Sequence, residues 1–166
     1  MGSARQPRTL EAGARAPEFD LPTLDSKVSQ NLGGALASGP VLLAFFKVTC
    51  PTCQLTLPFI ERMYKGAKKG AAQMFAVSQD DAAATREFHI EFGISMPTLL
   101  DGETQGYPAS NAYGLTNVPS LFLIEPNGSI SWSLIGFHKK ELEALGAKLG
   151  VSPFRPGENV PEMKGG

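Results

Sequence analysis

Residues 41–53 read VLLAFFKVTCPTC, an apolar run that ends in two cysteines three positions apart. The stretch 41–48 is almost continuously apolar and follows Gly39-Pro40, the pattern of a strand covered on both faces in a parallel sheet. Beyond the cysteines, Leu55, Phe59, Ile60 and Met63 recur near helical spacing. Pro58 interrupts them without an N–H to donate, so a kink is expected there. Cys50 therefore stands where a buried strand gives way to a helix.

Working outward, residues 73–78 (QMFAVS) read as a second buried strand, and 81–92 as an Ala-rich helix with an Asp at its start and Gly93 at its end. Strand, helix and strand in this order predict parallel pairing through a right-handed crossover. Next come a short strand over 97–100, a brief helix over 108–113 and a turn at Asn117-Val118-Pro119. Strands over 121–125 and 130–137 are joined by Pro126-Asn127-Gly128-Ser129, whose Asn-Gly step signals a hairpin. A helix over 139–149 offers Leu142, Leu145 and Leu149 to the sheet.

Upstream, 16–32 (APEFDLPTLDSKVSQNL) is broken by Pro22 and Asp25-Ser26, which suits a short β-hairpin at a sheet edge. Residues 1–15 lack periodic apolar positions and are expected to be flexible, and 151–166 to be an irregular tail. The expected architecture is α/β: one domain over 16–150, a central mixed sheet flanked by helices, with the hairpin as an N-terminal extension.

The whole chain narrows the chemistry. Its 166 residues with 42% hydrophobic content suffice for one core. Lys and Arg number 15 against 16 Asp and Glu, so no basic field is available for nucleic acid or an anionic membrane. With no apolar run of about 18 residues, no membrane insertion is expected. Residues 1–17 have no apolar leader core, which favours a cytoplasmic location; a periplasmic or other extracytoplasmic one follows if a leader has been removed.

Two cysteines at such close spacing serve chemistry or a metal, not a secreted disulfide framework. A zinc site needs four ligands, and His89 and His138 lie far apart without the usual spacing, so no metal is expected. Gly13 and Gly33-Gly34 lack a strand-loop-helix context, so no nucleotide or other cofactor is expected. The histidines read as surface or capping residues. Phe45, Phe46, Phe75, Phe88 and Phe92 read as core, and Trp132 as a half-exposed strand residue.

A thiolate is the attacking species in disulfide exchange, and a free cysteine with a pKa of about 8.5 is mostly protonated near neutrality. The strand-to-helix junction offers Cys50 unpaired backbone N–H groups and the positive end of the helix dipole. Lys47, three residues earlier, is expected to add pKa-tuning positive charge. One helical step behind, Cys53 can attack a mixed disulfide formed at Cys50 and release the substrate. Pro51 limits motion of the pair by fixing one backbone dihedral and suits a first helical turn.

Over roughly residues 16–150 the sequence resembles the thioredoxin superfamily, and more closely its redoxin or TlpA-like branch of thiol-disulfide oxidoreductases. The resemblance is carried by APEFDLP at 16–22, the strand-CPTC-helix at 41–64, Pro58, Val118-Pro119, and Gly136 ahead of the last helix. It implies a thioredoxin-like fold and a cis peptide bond at Val118-Pro119, although only about 5–6% of X-Pro bonds in folded proteins are cis. By the same resemblance Val118 and Pro119, with Pro51 and Thr52, form a substrate-binding platform. It further implies protein dithiols and disulfides as partners, with an upstream dithiol protein as reductant.

Three positions depart from the family pattern. Ala44 stands where thioredoxins carry a buried Asp, Thr56 where TlpA-like proteins often carry Glu, and Thr49 where a tryptophan precedes the first cysteine. Deprotonation of Cys53 then falls to water or a nearby acid such as Asp80. Two alternatives stand beside the oxidoreductase reading. One is a peroxiredoxin-type peroxidase using Cys50, disfavoured because Lys47 occupies the position of the required threonine and no arginine occurs between Arg86 and Arg155. The other is a non-catalytic module whose dithiol senses redox state.

Overall fold

The computed structural model describes residues 8–25 and 28–166. Along the chain run β1 (Asp20–Pro22), β2 (Ser29–Asn31), α1 (Leu32–Leu36), β3 (Val41–Phe46), α2 (Pro51–Gly66), β4 (Gln73–Ser78) and α3 (Ala82–Phe92). They are followed by β5 (Thr98–Leu100), α4 (Pro108–Ala112), β6 (Ser120–Ile124), β7 (Ile130–Ile135), β8 (Phe137–His138), α5 (Lys139–Leu149) and β9 (Met163–Lys164). The central sheet has the order β5-β4-β3-β6-β7. β3 pairs parallel to β4 and antiparallel to β6, so the sheet is mixed, as expected, with β3 at its centre.

Every residue of β3 is buried. Because side chains alternate along a strand, Leu42, Ala44 and Phe46 join one core with Leu57, Ile60 and Met63 of α2 and Leu142, Leu145 and Leu149 of α5. Val41, Leu43 and Phe45 join the other, with Phe19, Leu21, Leu32 and Tyr113. Each fully buried Leu or Phe contributes about 1.5–3 kcal/mol relative to exposure. A strand with a hydrophobic layer on both faces is the physical counterpart of the unbroken apolar run.

The helix ends follow local chemistry. Asp81 caps α3 by accepting the Ala84 N–H at 2.8 Å, and Gly93 ends it in the left-handed conformation. α2 runs unbroken from Pro51 to Gly66 with Pro58 inside it, so the proline does not end the helix. Glu61 in α2 is buried, and its carboxylate accepts Ser95 N–H and Met96 N–H at 2.8 Å each and the Ser95 hydroxyl at 2.5 Å.

Several expectations need correction. The hairpin β1-β2 is present, with Ser26 of its expected turn outside the described residues. α1 was not expected, because LGGAL is a poor helix former. It forms with Asn31 accepting from Gly34 N–H at 2.6 Å and the Glu18 carboxylate accepting from Leu32 and Gly33 N–H groups. Residues 1–7 lie outside the described residues, but the chain over 8–15 is not loosely held. Leu10 N–H donates to Tyr113 O, Gly13 N–H to Ile130 O, and Ile130 N–H to Ala14 O.

The strand expected over 130–137 is divided at Gly136, whose φ of 81° turns the chain out of the sheet. Trp132 is buried, with its indole N–H donating to Glu141 at 3.2 Å. The tail over 151–166 is also more than irregular. Arg62 forks onto Glu158 at 2.7 and 3.0 Å, Phe154 packs on Phe59, and β9 pairs antiparallel with β8. This order comes from partners distant in sequence, which leave no periodic trace in a Pro- and Gly-rich stretch.

Candidate active site

β3 ends at Phe46, and the loop 47–50 carries the chain to α2. Two side chains hold that loop. Asp80, just beyond β4, accepts the Val48 N–H at 2.8 Å, and Gln54 in α2 donates to Val48 O at 3.0 Å. Cys50 N–H donates to Lys47 O at 3.2 Å, and Cys50 is the N-cap of α2 with Pro51 as its first residue. The Cys50 Sγ accepts the Cys53 N–H at 3.2 Å, a helix-start amide aimed at sulfur. Both cysteines are free thiols; Cys50 is partly exposed and Cys53 fully buried.

Across from the motif, the Val118–Pro119 bond is cis, as the sequence reading expects. The Cys50 thiol points at Val118 O, 3.4 Å away. The Ser120 hydroxyl donates to Asn117 O at 2.7 Å and Gly136 N–H to Pro119 O at 2.8 Å, fixing the turn against the sheet. Cys50, Cys53, Pro51, Val118 and Pro119 thus converge on one end of the sheet.

Thr52 is also here, but its hydroxyl is engaged with the main-chain oxygen of Gly165 at 2.5 Å. Lys47 has an exposed side chain, and its main chain reaches the cysteines.

Burial pushes the Cys53 thiol strongly up, with its hydrogen bond to Cys50 and the charges of Cys50 and Asp80 adding to the effect and the Lys47 amide partly offsetting it. Ala44 and Thr56, the two positions where the sequence departs from the expected carboxylates, are both buried, and Thr56 spends its hydroxyl on Thr52 O at 2.7 Å. The two thiols are therefore unlike: one at the surface with an amide donor, the other buried and held protonated.

Gln54, Asn117 and the Gly165 partner of Thr52 escaped sequence reading. Gln54 and Asn117 are polar residues beside the motifs, a signal too weak without geometry. Among the described residues no three His, Cys, Asp or Glu side chains converge as a metal site would require, and no helix is long and apolar enough to cross a membrane.

The AhpC/TSA family matches residues 12–133. The thiol-disulfide oxidoreductase ResA of Geobacillus thermodenitrificans is 29% identical over 133 residues, 80% of this chain and 74% of that protein. Among solved structures, the DsbE-type thiol:disulfide interchange protein assigned in Chlorobium tepidum has a TM-score of 0.68 and 26% identity, covering 84% of this chain and 95% of that one. The thioredoxin domain of a thiol-disulfide oxidoreductase from Bacteroides vulgatus has a TM-score of 0.72 at 20% identity, over 84% of this chain and 97% of that one, a likeness of fold.

Proposed function

The chain belongs to the AhpC/TSA family, and from that premise we propose that it is a thiol-disulfide oxidoreductase exchanging disulfides with protein partners through Cys50 and Cys53. The observation that carries this reading is the Cys50 sulfur itself, capped by the Cys53 N–H at 3.2 Å and facing Val118 O at 3.4 Å beside a cis proline.

In the reducing direction the Cys50 thiolate attacks one sulfur of a substrate disulfide. A Cys50–substrate disulfide forms, and the other substrate sulfur leaves as a thiolate that takes up a proton. Cys53 then gives up its proton and attacks the Cys50 sulfur, releasing the second substrate thiol. Two electrons have passed to the substrate, and Cys50–Cys53 is left as a disulfide for an upstream dithiol protein to reduce. In the oxidising direction the same steps run backwards.

Cys53 needs a proton acceptor only at the second step. Asp80 is the proposed acceptor, acting through water; its charge is felt at Cys53 and its carboxylate is already held by Val48 N–H. Pro51, Thr52, Val118 and Pro119 are the proposed substrate contacts. Lys47 is retained as a proposed tuning residue through its main chain. The folded unit is likewise proposed to take in residues 8–15 and 151–166, which are bonded to its body, with limited proteolysis as the test. The relatives lend the cytoplasmic expectation no support, and an extracytoplasmic location is the alternative carried forward.

The test is trapping. Cys53→Ala should accumulate a mixed disulfide between Cys50 and a peptide disulfide, whereas Cys50→Ser should form none. Fast peroxide consumption that needs Cys50 but not Cys53 would overturn the reading in favour of a peroxidase. Absence of exchange with every disulfide tried would favour the sensing module.

A further inference from the structure

Thr52 lies between the two cysteines, at the end of the sheet where a partner would approach, yet it is only 4% exposed. The chain's own segment 163–166 lies there. β9 runs antiparallel to β8, with Met163 opposite His138 and Lys164 opposite Phe137. Lys139 N–H extends the ladder by donating to Glu162 O at 2.9 Å. Past β9, Gly165 O accepts from the Thr52 hydroxyl at 2.5 Å and Gly166 O from the Asn117 amide at 3.1 Å. Gly166 passes so close to Val118 that a Cβ on it would lie 2.5 Å from Val118 O, the carbonyl that also faces the Cys50 thiol.

We propose that residues 163–166 are a self-docked segment that fills the substrate groove and competes with an incoming partner for it. The proposal rests on the assignment of Cys50, Thr52 and Val118 to the substrate site. The segment uses main-chain oxygens towards Thr52 and Asn117 and main-chain pairing towards β8, contacts any extended peptide can reproduce. Shape selects only at one place: the position of Gly166 over Val118 tolerates no side chain, whereas a Cβ on Gly165 would meet nothing within 4 Å. The accepted partner is thus an extended segment with glycine next to the Val118 carbonyl.

The same geometry makes the segment a competitor. It is tethered a few residues from the firmly held Arg62–Glu158 fork, so its local concentration is high. Its own hold is slight. Met163 is 66% exposed, and the ladder is two residues long, which places its release at the low end of local opening free energies. A partner peptide displaces it, and its apparent affinity is lowered by the fraction of time the groove is filled.

The test uses the full chain and two glycine variants. Gly166→Val cannot keep its approach to Val118, while Gly165→Ala can stay docked. Docking is read from hydrogen exchange of the Lys139 amide, and access from the rate at which reduced Cys50 reacts with an extended peptide disulfide compared with a small aromatic disulfide. Gly166→Val should speed Lys139 exchange and raise the peptide rate about three- to tenfold, with the small disulfide little changed. Gly165→Ala should match the parent in all three.

Faster Lys139 exchange without a faster peptide reaction would overturn the proposal, and so would unchanged exchange in Gly166→Val. These readings are stoichiometric, so they stand apart from catalytic turnover. Normal turnover with no effect of Gly166→Val rejects the self-docked segment alone. Absent turnover with a clear effect rejects the oxidoreductase reading alone.

Discussion

Cys50 Sγ accepts the main-chain N–H of Cys53 at 3.2 Å, so the sulfur that opens the motif is also the N-cap of α2. Losing a side-chain cap costs about 0.5–2 kcal/mol, and serine is a good replacement. Reduced Cys50→Ala should therefore melt about 2–4 °C lower for each kcal/mol lost, and Cys50→Ser close to the parent. Thermal unfolding of the three reduced proteins checks this. Equal melting of Ala and Ser variants would show that the sulfur contributes nothing as a cap.

Burial raises the Cys53 thiol far above its ordinary value. Near neutral pH, alkylation of the reduced protein should label Cys50 and leave Cys53 until the chain is unfolded. The same shift ties stability to pH. An unfolded Cys53 loses its proton above about pH 8.5 while the folded one keeps it, so the folded state binds more protons and stability falls as pH rises. Its contribution is full below about pH 8.5 and declines above it by up to about 1.4 kcal/mol per pH unit. Tyr113 is raised by burial too and adds the same trend from about pH 10. Between these limits, denaturant midpoints of the reduced parent should fall with pH more steeply than those of Cys53→Ala.

The proposed role of Asp80 as proton acceptor predicts that the two chemical steps can be separated. Asp80→Asn keeps an oxygen to accept the Val48 N–H but removes the base, so attack by Cys50 on a disulfide should be little changed. Resolution of the mixed disulfide by Cys53 should slow by about a hundredfold or more, the usual range for a general base. Stopped-flow kinetics with a fluorescent peptide disulfide resolves the two phases. Equal slowing of both would assign Asp80 to loop positioning alone.

Glu61 is a structural contrast. Its buried carboxylate accepts three hydrogen bonds from Ser95 and Met96. Glu61→Ala leaves these donors without partners, and each buried unsatisfied group costs about 1–3 kcal/mol. The variant should unfold at markedly lower denaturant, with the potential of the cysteine pair unaltered. A shifted potential would place Glu61 in the redox site.

The parts of this fold that could be read from sequence are those governed by side-chain period and caps. The run 41–48 announced a strand buried on both faces, which ends two residues early at Phe46 where exposed Lys47 begins the loop; Asp81 and Gly93 bounded α3, and Asn127-Gly128 marked the β6-β7 hairpin. The position of Cys50 at a helix start was legible for the same reason. What escaped depends on contacts between distant residues. α1 is held by Glu18, fourteen positions from Leu32, and the 151–166 segment is ordered by Arg62, β8 and Thr52. For Lys47 only the charge is visible in sequence, whereas the fold also brings its main chain to the cysteines.

The most direct test of the central claim is the redox equilibrium of the Cys50–Cys53 pair. The protein is equilibrated in buffers of graded potential, free thiols are alkylated, and the products are weighed by mass spectrometry. A single two-electron transition is expected in which both thiols disappear together, at a potential between about −270 and −120 mV. Oxidation of Cys50 alone, with Cys53 still alkylated after unfolding and no intramolecular disulfide formed, would contradict it.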